Sequence, residues 1–461
     1  MLNPPFSHLP DELLDSIVEH VAKAATLSSK DQTLNNLSLA DRAFTQSCQK
    51  YIFRNFKVIK RNFLQGTQDV MIKLERAKKM LDDKPSIANQ VRTVQLTISR
   101  NECAWFFNDP TFISILQLLA KSPLPPHELY LRECMYASSA SIAKDSIHLV
   151  RRLAQSFFSQ TLTILHLAEC ENVPLPIFLI CPRLREVSLD FVGAEMSFDE
   201  YPDNQYSGRE PPRLEVLCYR DSHSLLEQMI TPPSRFNIPV VLWSSLRILT
   251  VTPREEEGTC LQPILDAACN TLEELYLTNA YLRCRCRIYR PKQFWQVSQP
   301  DQLAGLVNLS NVSRLQVFSL TPAIIECIAP HFAVLHDINI ILGTIPESNK
   351  LTNLAFNFDI VGRPPFRECL DQDWDGMYNE VIRISDGKPL EMELRMRVHG
   401  EISEVGHDEL YMYIMDKAGS LSDYPKICTH FWNPNFMDRG RFVDLFPFPR
   451  DQVRSRCRPV D

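Results

Sequence analysis

Two short stretches carry residue types whose spacing could bind a metal: a cysteine pair and a histidine pair. Cys284 and Cys286 are spaced C-x-C within a run of arginines, and no second cysteine or histidine pair follows nearby. A structural zinc site needs four ligands, usually supplied as two such pairs, so this spacing gives little support to a metal. His331 and His336 stand five residues apart, which does not place them on one helical face. We therefore interpret them as ordinary surface or core histidines.

A run of carboxylates between Asp371 and Asp375 could in principle bind calcium or act as an acid–base pair. An exposed acidic loop is the preferred interpretation. The phosphate-binding patterns GxxxxGK[ST] and GxGxxG, the nucleophile pattern GxSxG, the zinc-protease pattern HExxH and any CxxC pair do not occur in the sequence. The sequence thus predicts no catalytic residue, no metal and no cofactor.

The composition is typical of a folded protein, with 44% hydrophobic and 23% charged residues among 461. A formal charge of −7 argues against a general nucleic-acid binder, which needs a basic face. A local basic run at residues 283–292 is interpreted as a solvated loop or strand face, with an import or anion-binding patch as the alternative. No stretch approaches the ~18 apolar residues of a membrane span, and the N-terminus lacks the features of a secretory signal. We therefore expect no nucleic-acid or membrane partner, a location in the cytoplasm and/or nucleus, and reduced cysteines.

Apolar residues near the N-terminus recur with helical spacing in the stretch FSHLPDELLDSIVEHV, which begins at residue 6. Pro10 suits the first turn of a helix, and Asp11 and Glu12 complement the positive end of its dipole. The apolar stripe comprises Leu13, Leu14, Ile17, Val18 and Val21. Two further short helices follow, one around Leu34 and Leu37 and one from about Asp41. The sequence therefore predicts a small three-helix unit.

The stretches LPDELLDSI (from residue 9), LSLADRAF (from residue 37) and YIFR (from residue 51) together resemble an F-box. In that family the motif binds the Skp adaptor of Skp–cullin–F-box ubiquitin ligases. The resemblance covers residues 6–57, and an ordinary N-terminal helical cap is the alternative. The adaptor-binding residues that it implies are Leu9, Pro10, Leu13, Leu14, Ile17, Leu37, Leu39 and Phe44.

A second pattern, L-x-x-L-x-L, recurs between residues 91 and 356. Clear copies begin at Leu162, Leu184, Leu214, Leu246, Leu272 and Leu315, and weaker copies begin at Val91, Pro126, Leu335 and Leu351. The pattern resembles leucine-rich repeats, in which each unit supplies one strand to a curved parallel sheet. An ordinary mixed α/β domain is the alternative.

The cysteines partly follow the same pattern. Cys134 and Cys170 occupy the position at which leucine-rich repeats favour Asn or Cys, and Cys181 and Cys269 lie just before predicted strands. We interpret all four as packing thiols and not as metal ligands.

The fold class predicted is α/β: an N-terminal three-helix F-box, an irregular leucine-rich-repeat-like solenoid with a curved parallel sheet, and a C-terminal capping region. The boundaries are residues 6–57 for the F-box, 58–90 for a helical linker, 91–360 for the solenoid, and 361–461 for the cap and tail. Within the cap, PLEMELRMRV (from residue 389) alternates apolar and charged residues, which predicts a half-buried strand. Residues 410–415 are a candidate pairing partner for it.

The residues between and just after the last two apolar positions of each repeat should face away from the core, because strand residues alternate between the two faces. Tyrosine and arginine are common anchors of protein interfaces. A solvated sheet face with no partner is the alternative. The candidate substrate-binding residues are Tyr130, Arg132, His166, Asp190, Arg220 and Tyr276.

Together these features predict a non-catalytic substrate-recognition subunit of a Skp–cullin–F-box ubiquitin ligase. The resemblance implies that the F-box binds the Skp adaptor and, through it, the cullin, while the repeats bind a protein substrate that the sequence does not identify. Two alternatives stay open. One is an F-box scaffold that binds the adaptor without directing ubiquitylation, and the other is an enzyme whose residues are scattered over the repeats.

Overall fold

The chain is described here from a computed structural model, which covers residues 9–24, 30–59, 67–99, 103–134, 149–194, 206, 208–236, 238–252, 258–278, 303–321, 323–325, 334–361, 373–399, 412, 416, 421 and 424–432. The contacts group the chain into two compact units. The first comprises Met1–Arg213 with Thr231–Val241, and the second comprises Leu214–Ile230 with Leu242–Asp461. Each unit is α/β with parallel strands. No described helix is both long and apolar enough to cross a lipid bilayer.

The first unit begins with the three short helices that the apolar spacing predicts: α1 (Asp11–Ala24), α2 (Lys30–Ala40) and α3 (Thr45–Ile52). The carbonyl of Pro10 accepts hydrogen bonds from the amides of Leu13 and Leu14, which closes the first turn of α1. Asp41 caps the 3-10 turn Arg42–Phe44 by accepting a bond from the amide of Ala43. The three helices share one apolar core, made of Leu14, Val18, Ala22, Leu34, Phe44 and Cys48.

The sheet of the first unit contains five parallel strands in chain order. They are β1 (Asn55–Ile59), β2 (Thr93–Ser99), β3 (Glu128–Cys134), β4 (Ile164–Ala168) and β5 (Glu186–Asp190). Helical segments lie between them: α4 (Thr67–Asp83), the 3-10 segment Pro85–Gln90, α5 (Cys103–Asn108), α6 (Pro110–Ala120), the π-helical segment Leu149–Phe158 and α7 (Pro176–Leu179). The sequence did not predict β1, whose stretch NFKVI lacks the repeat pattern. The F-box and linker boundary at residues 57 and 58 falls within this strand.

The second unit has the same construction. Its strands are β6 (Val216–Arg220), β7 (Ile248–Thr252), β8 (Glu274–Thr278), β9 (Val317–Thr321), β10 (Ala323–Ile325), β11 (Asn353–Val361), β12 (Leu390–His399) and β13 (Ile427–Trp432). They pair in parallel and in chain order, except that β10 joins β11 beside β9. Its helices are α8 (His223–Ile230), α9 (Gly258–Ala267), α10 (Leu303–Leu306), α11 (Val334–Gly343) and α12 (Trp374–Ser385).

A recurring backbone contact stacks each strand on the one before it. In each contact, one backbone carbonyl accepts hydrogen bonds from two consecutive amides at the start of the next strand. The carbonyl belongs to the residue that follows the first apolar residue of the repeat. In the second unit the carbonyl of Glu273 accepts bonds from Gln316 (2.8 Å) and Val317 (3.0 Å). In the first unit the carbonyl of Arg92 accepts bonds from His127 (3.0 Å) and Glu128 (3.2 Å). The apolar residues of the pattern then align in register and form the core.

One of the ten predicted repeat strands is wrong. The copy beginning at Leu335 lies in helix α11. An L-x-x-L spacing is common to a helix and to the repeat pattern, because residues three apart share a helical face. Leu335, Ile338 and Leu342 are buried whereas Ile340 is 42% exposed, which is the burial period of a helix.

The half-buried strand predicted near the C-terminus is confirmed as β12, which has β11 on one side and β13 on the other. Its predicted partner, residues 410–415, lies outside the described residues apart from Met412. The basic run at residues 283–292, with Cys284 and Cys286, also lies outside them.

Candidate functional site

The apolar stripe of α1 is wider than its buried face. Leu14 and Val18 point into the helical core, whereas Leu13 is 51% exposed and Ile17 is 39% exposed. The two exposed side chains are one helical turn apart and therefore form a continuous patch. Leu39, at the end of α2, is 85% exposed in the same three-helix unit.

The structure divides the eight residues that the F-box resemblance implies into two groups. Leu14 and Phe44 are part of the internal core, and Leu9 and Leu37 are partly buried against it. The remaining residues lie on the surface: Pro10, Leu13, Ile17 and Leu39. The three-helix unit therefore builds its own core without these four residues.

An ion pair fixes α1 against α3. The Asp15 carboxylate accepts hydrogen bonds from Lys50 Nζ (2.6 Å) and Ser47 Oγ (2.5 Å). These two hydrogen bonds hold the pKa of Asp15 below its ordinary value, and the bond from Lys50 has the larger effect. The contact links α1, which carries the exposed Leu13 and Ile17, to α3.

On the first unit's sheet, Tyr130 of β3 and His166 of β4 are partners in register, with ring centroids 6.2 Å apart. Tyr130 is half-buried, but His166 is only 3% exposed. The expectation that His166 lies on an open surface is therefore wrong. His166 occupies the middle of its strand, where the side chains of the two neighbouring strands stand less than about 5 Å away and shield it.

A polar cluster that the sequence analysis missed surrounds His166. Oε1 of Glu128 lies 3.4 Å from Nε2 of His166, and Oε2 of Glu128 accepts a bond from the Thr93 hydroxyl (2.8 Å). Glu128 and Thr93 are both buried. Glu128 precedes Tyr130 by two residues and so shares its face, which means that the alternation rule used for Tyr130 would also have found it.

The other two candidates of the first unit lie in one row of the sheet, because Arg132 of β3 and Asp190 of β5 both align with Ala168 of β4. Arg132 is exposed and pairs with Glu169, with Nη2 2.5 Å from Oε1. Glu169 has a φ of 55°, and its amide donates to the carbonyl of Asp190 (2.7 Å). Asp190 itself is half-buried. The guanidinium of Arg132 thus has a carboxylate partner, Glu169, from the segment that follows β4.

The second unit contains the remaining candidates, Arg220 and Tyr276, both half-buried. The Tyr276 hydroxyl donates to Oε2 of Glu274 on the same strand face (2.6 Å). The carbonyl of Arg220 accepts a bond from the Ser222 hydroxyl (2.8 Å). Both residues carry groups that can make hydrogen bonds, as protein interfaces require.

The residues considered first for metal or acid–base chemistry have structural roles where the structure describes them. Asp373 is the N-cap of α12 and accepts a bond from the Gly376 amide (2.8 Å). His336 is exposed on α11. His331 lies outside the described residues. Within the described part of the chain, no three His, Cys, Asp or Glu side chains are grouped so that they could hold a metal ion.

The thiols of the first unit are placed as packing residues. Cys170 is buried, with Sγ 3.3 Å from the carbonyl of Ala168 and 3.7 Å from that of Leu131. Cys181 is fully buried, and burial raises its pKa to about 12. Cys269, in the second unit, is half-buried, and the side chain of Cys134 lies outside the described residues.

No family model matches the chain, and no curated protein sequence is significantly similar to it.

Proposed function

We propose that the protein is the substrate-recognition subunit of a Skp–cullin–F-box ubiquitin ligase. The observation that carries the proposal is the exposed apolar group of the N-terminal helices, Leu13, Ile17 and Leu39, in a unit whose core is complete without them. These residues coincide with positions that the F-box resemblance implies for adaptor binding. Leu39, at 85%, is the most exposed large hydrophobic side chain of the described residues.

The energetics indicate how much of the interface these residues can supply. Full burial of one leucine or isoleucine is worth about 1.5–3 kcal/mol, and Leu13 and Ile17 are already partly buried. Association costs on the order of 4–15 kcal/mol, so these three side chains alone do not hold a partner. Pro10 and the partly buried Leu9 and Leu37 are the neighbouring residues that would complete the contact.

The parallel sheets supply the second half of the proposed activity. The recurring L-x-x-L-x-L strands support an irregular leucine-rich-repeat-like array, and the polar residues on the face opposite the core, Tyr130, Arg132, Asp190, Arg220 and Tyr276, are the proposed contacts for a protein substrate. The chain would then act without catalytic residues of its own. It would raise the rate of ubiquitin transfer by holding the substrate near another protein's active site.

Co-purification with the Skp adaptor tests the proposal directly. Leu13→Asp places a charge in a contact that must lose water, so we expect adaptor binding to fall by more than about 100-fold, as expected for a buried and unpaired charge. Ile72→Asp on α4 is the matched control, because Ile72 is 39% exposed on a helix outside the three-helix unit. Undiminished binding by Leu13→Asp, or equal losses in both variants, would show that the F-box assignment is wrong. If the adaptor binds but a reconstituted ligase transfers no ubiquitin to captured partners, the protein is an F-box scaffold.

A further inference from the structure

A cysteine and a histidine of the second unit lie in contact, although 37 residues separate them in sequence. Cys260 is the third residue of α9, and its Sγ lies 3.4 Å from Nδ1 of His223, the first residue of α8. The other ring nitrogen of His223, Nε2, lies 3.9 Å from Oε2 of Glu227, one turn further along α8. The three side chains thus form a row of thiol, imidazole and carboxylate.

This arrangement favours the thiolate of Cys260 for two independent reasons. A histidine at hydrogen-bond distance can take the thiol proton, and the Glu227 carboxylate lies 3.9 Å from the other ring nitrogen. Cys260 also lies in the first turn of α9, where the helix dipole favours a negative charge. Burial opposes the thiolate: it raises the pKa of the fully buried Cys181 to about 12, and Cys260 is buried as well, so the contact with His223 must offset this cost at Cys260.

Two of the described elements packed against α9 carry no titratable side chain, whereas three glutamates at residues 255–257, directly before α9 in sequence, lie outside the described residues. Helix α10 has the sequence LAGL and the 3-10 turn Trp243–Ser245 has the sequence WSS, so neither carries a titratable side chain. On α9 itself, Asp266 is exposed and accepts a bond from Gln262 (2.8 Å). His223 and Glu227 are therefore the titratable groups that α8 places beside Cys260.

Access limits what can react with this thiol. Cys260 is 3% exposed, so a bulky electrophile cannot reach it, whereas the adjoining His223 side chain is 27% exposed. We propose that Cys260 is a reactive thiol that takes a small peroxide as its substrate, with His223 as its proton partner. The proposal concerns the second unit and does not depend on adaptor binding.

The reaction needs no group beyond the peroxide. The thiolate of Cys260 attacks one peroxide oxygen, so that an S–O bond forms as the O–O bond breaks. The leaving hydroxide takes the proton from Nδ1 of the His223 imidazolium and becomes water. The sulfur loses two electrons to the peroxide and ends as a sulfenic acid, beside a neutral imidazole.

The pH dependence of thiol modification separates the reactivity of Cys260 from its accessibility. The full-length chain is treated with a small thiol reagent, methyl methanethiosulfonate, between pH 6.5 and 8.5, with N-acetylcysteine in the same tube, and each site is read by peptide mass spectrometry. An ordinary thiol of pKa ~8.5 gains about 50-fold in thiolate over this range. We expect the rate constant at Cys260 to change by less than about three-fold. We expect His223→Ala and His223→Asn to restore the steep profile, while His336→Ala on α11 leaves it flat.

A second experiment tests the peroxide step. One equivalent of hydrogen peroxide should add one oxygen atom to Cys260 of the wild-type chain, read as a mass gain of its peptide, and leave Cys181 unchanged, and His223→Asn should lower the oxidation at Cys260 at least ten-fold. The proposal is overturned by a steep pH profile at Cys260 in the wild type, by the same profile in both His223 variants, or by failure of Cys260 to react with peroxide in the native chain.

Discussion

Oε1 of Glu128 lies 3.4 Å from Nε2 of His166, with both side chains buried on adjacent strands of the first unit. The second carboxylate oxygen of Glu128 accepts the hydroxyl of Thr93 on the preceding strand. One carboxylate therefore connects three consecutive strands through side chains. Buried polar groups are costly when a partner is removed, so this contact has a measurable consequence.

Glu128→Ala should destabilise the first unit by about 1–3 kcal/mol, because it leaves the Thr93 hydroxyl and the His166 ring without this carboxylate. Urea unfolding measures the loss. Glu128→Gln keeps an acceptor and should lose less. Glu186→Ala is the matched control, because Glu186 lies in the same row of the sheet but is half-buried. Equal stability of the two alanine variants would contradict the role given to Glu128.

Asp15→Asn should destabilise the chain at pH 7 by less than about 1 kcal/mol, because the Asp15 side chain is 40% exposed and surface ion pairs are weak. The pKa of Asp15 is lowered in the folded state by Lys50 and Ser47. Its contribution is therefore complete above the unfolded-state pKa of about 4 and is lost as the pH falls through the lower folded pKa. Denaturant unfolding at a series of pH values should show the wild type and the variant converging at acidic pH. A difference that grows on acidification would contradict this assignment.

Gly376→Ala should destabilise α12 by about 1 kcal/mol, the usual worth of an N-cap. A Cβ at Gly376 would collide with the Asp373 carboxylate and stand 2.6 Å from Nδ2 of Asn339, so the capping side chain would have to move. Gly343→Ala is the control, since the nearest atom to its added Cβ is Oε2 of Glu380 at 4.0 Å. Thermal unfolding compares the two, and an equal melting temperature for both variants would show that the cap contributes nothing.

If the proposed function is correct, the double variant Tyr130→Ala with Arg220→Ala should weaken capture of a protein substrate by about ten-fold or more and leave adaptor binding unchanged, because tyrosine and arginine side chains are frequent interface anchors. Quantitative proximity labelling under proteasome inhibition measures both. Lys73→Ala, an exposed position on α4, is the control. If alanine substitutions at all five proposed contacts leave every captured partner in place, recognition occurs elsewhere in the chain; these contacts are Tyr130, Arg132, Asp190, Arg220 and Tyr276.

The repeat strands could be predicted from the sequence because each L-x-x-L-x-L copy contains its own alternation of apolar and polar residues. That information is local: Leu165 and Leu167 flank the polar His166, and this alternation favours a strand. The three N-terminal helices were predicted for the same reason, since the apolar spacing in α1 is complete within 14 residues. The copy at Leu335 failed because its spacing satisfies both periods, and the choice of helix was made by packing.

The sequence by itself determined which residues alternate and with what period, and hence the α/β class. The tertiary structure decided which of those residues are exposed, because exposure depends on neighbours from distant parts of the chain. The same alternation rule assigned Tyr130 and His166 to one face, yet the strands on either side bury His166 and leave Tyr130 half-exposed. In α1 the stripe did not distinguish Leu13 from Leu14, and only the packing of α2 and α3 buries one and leaves the other in water. The contact between Cys260 and His223 exists solely because α8 and α9 pack together, and no local pattern records a contact across 37 residues.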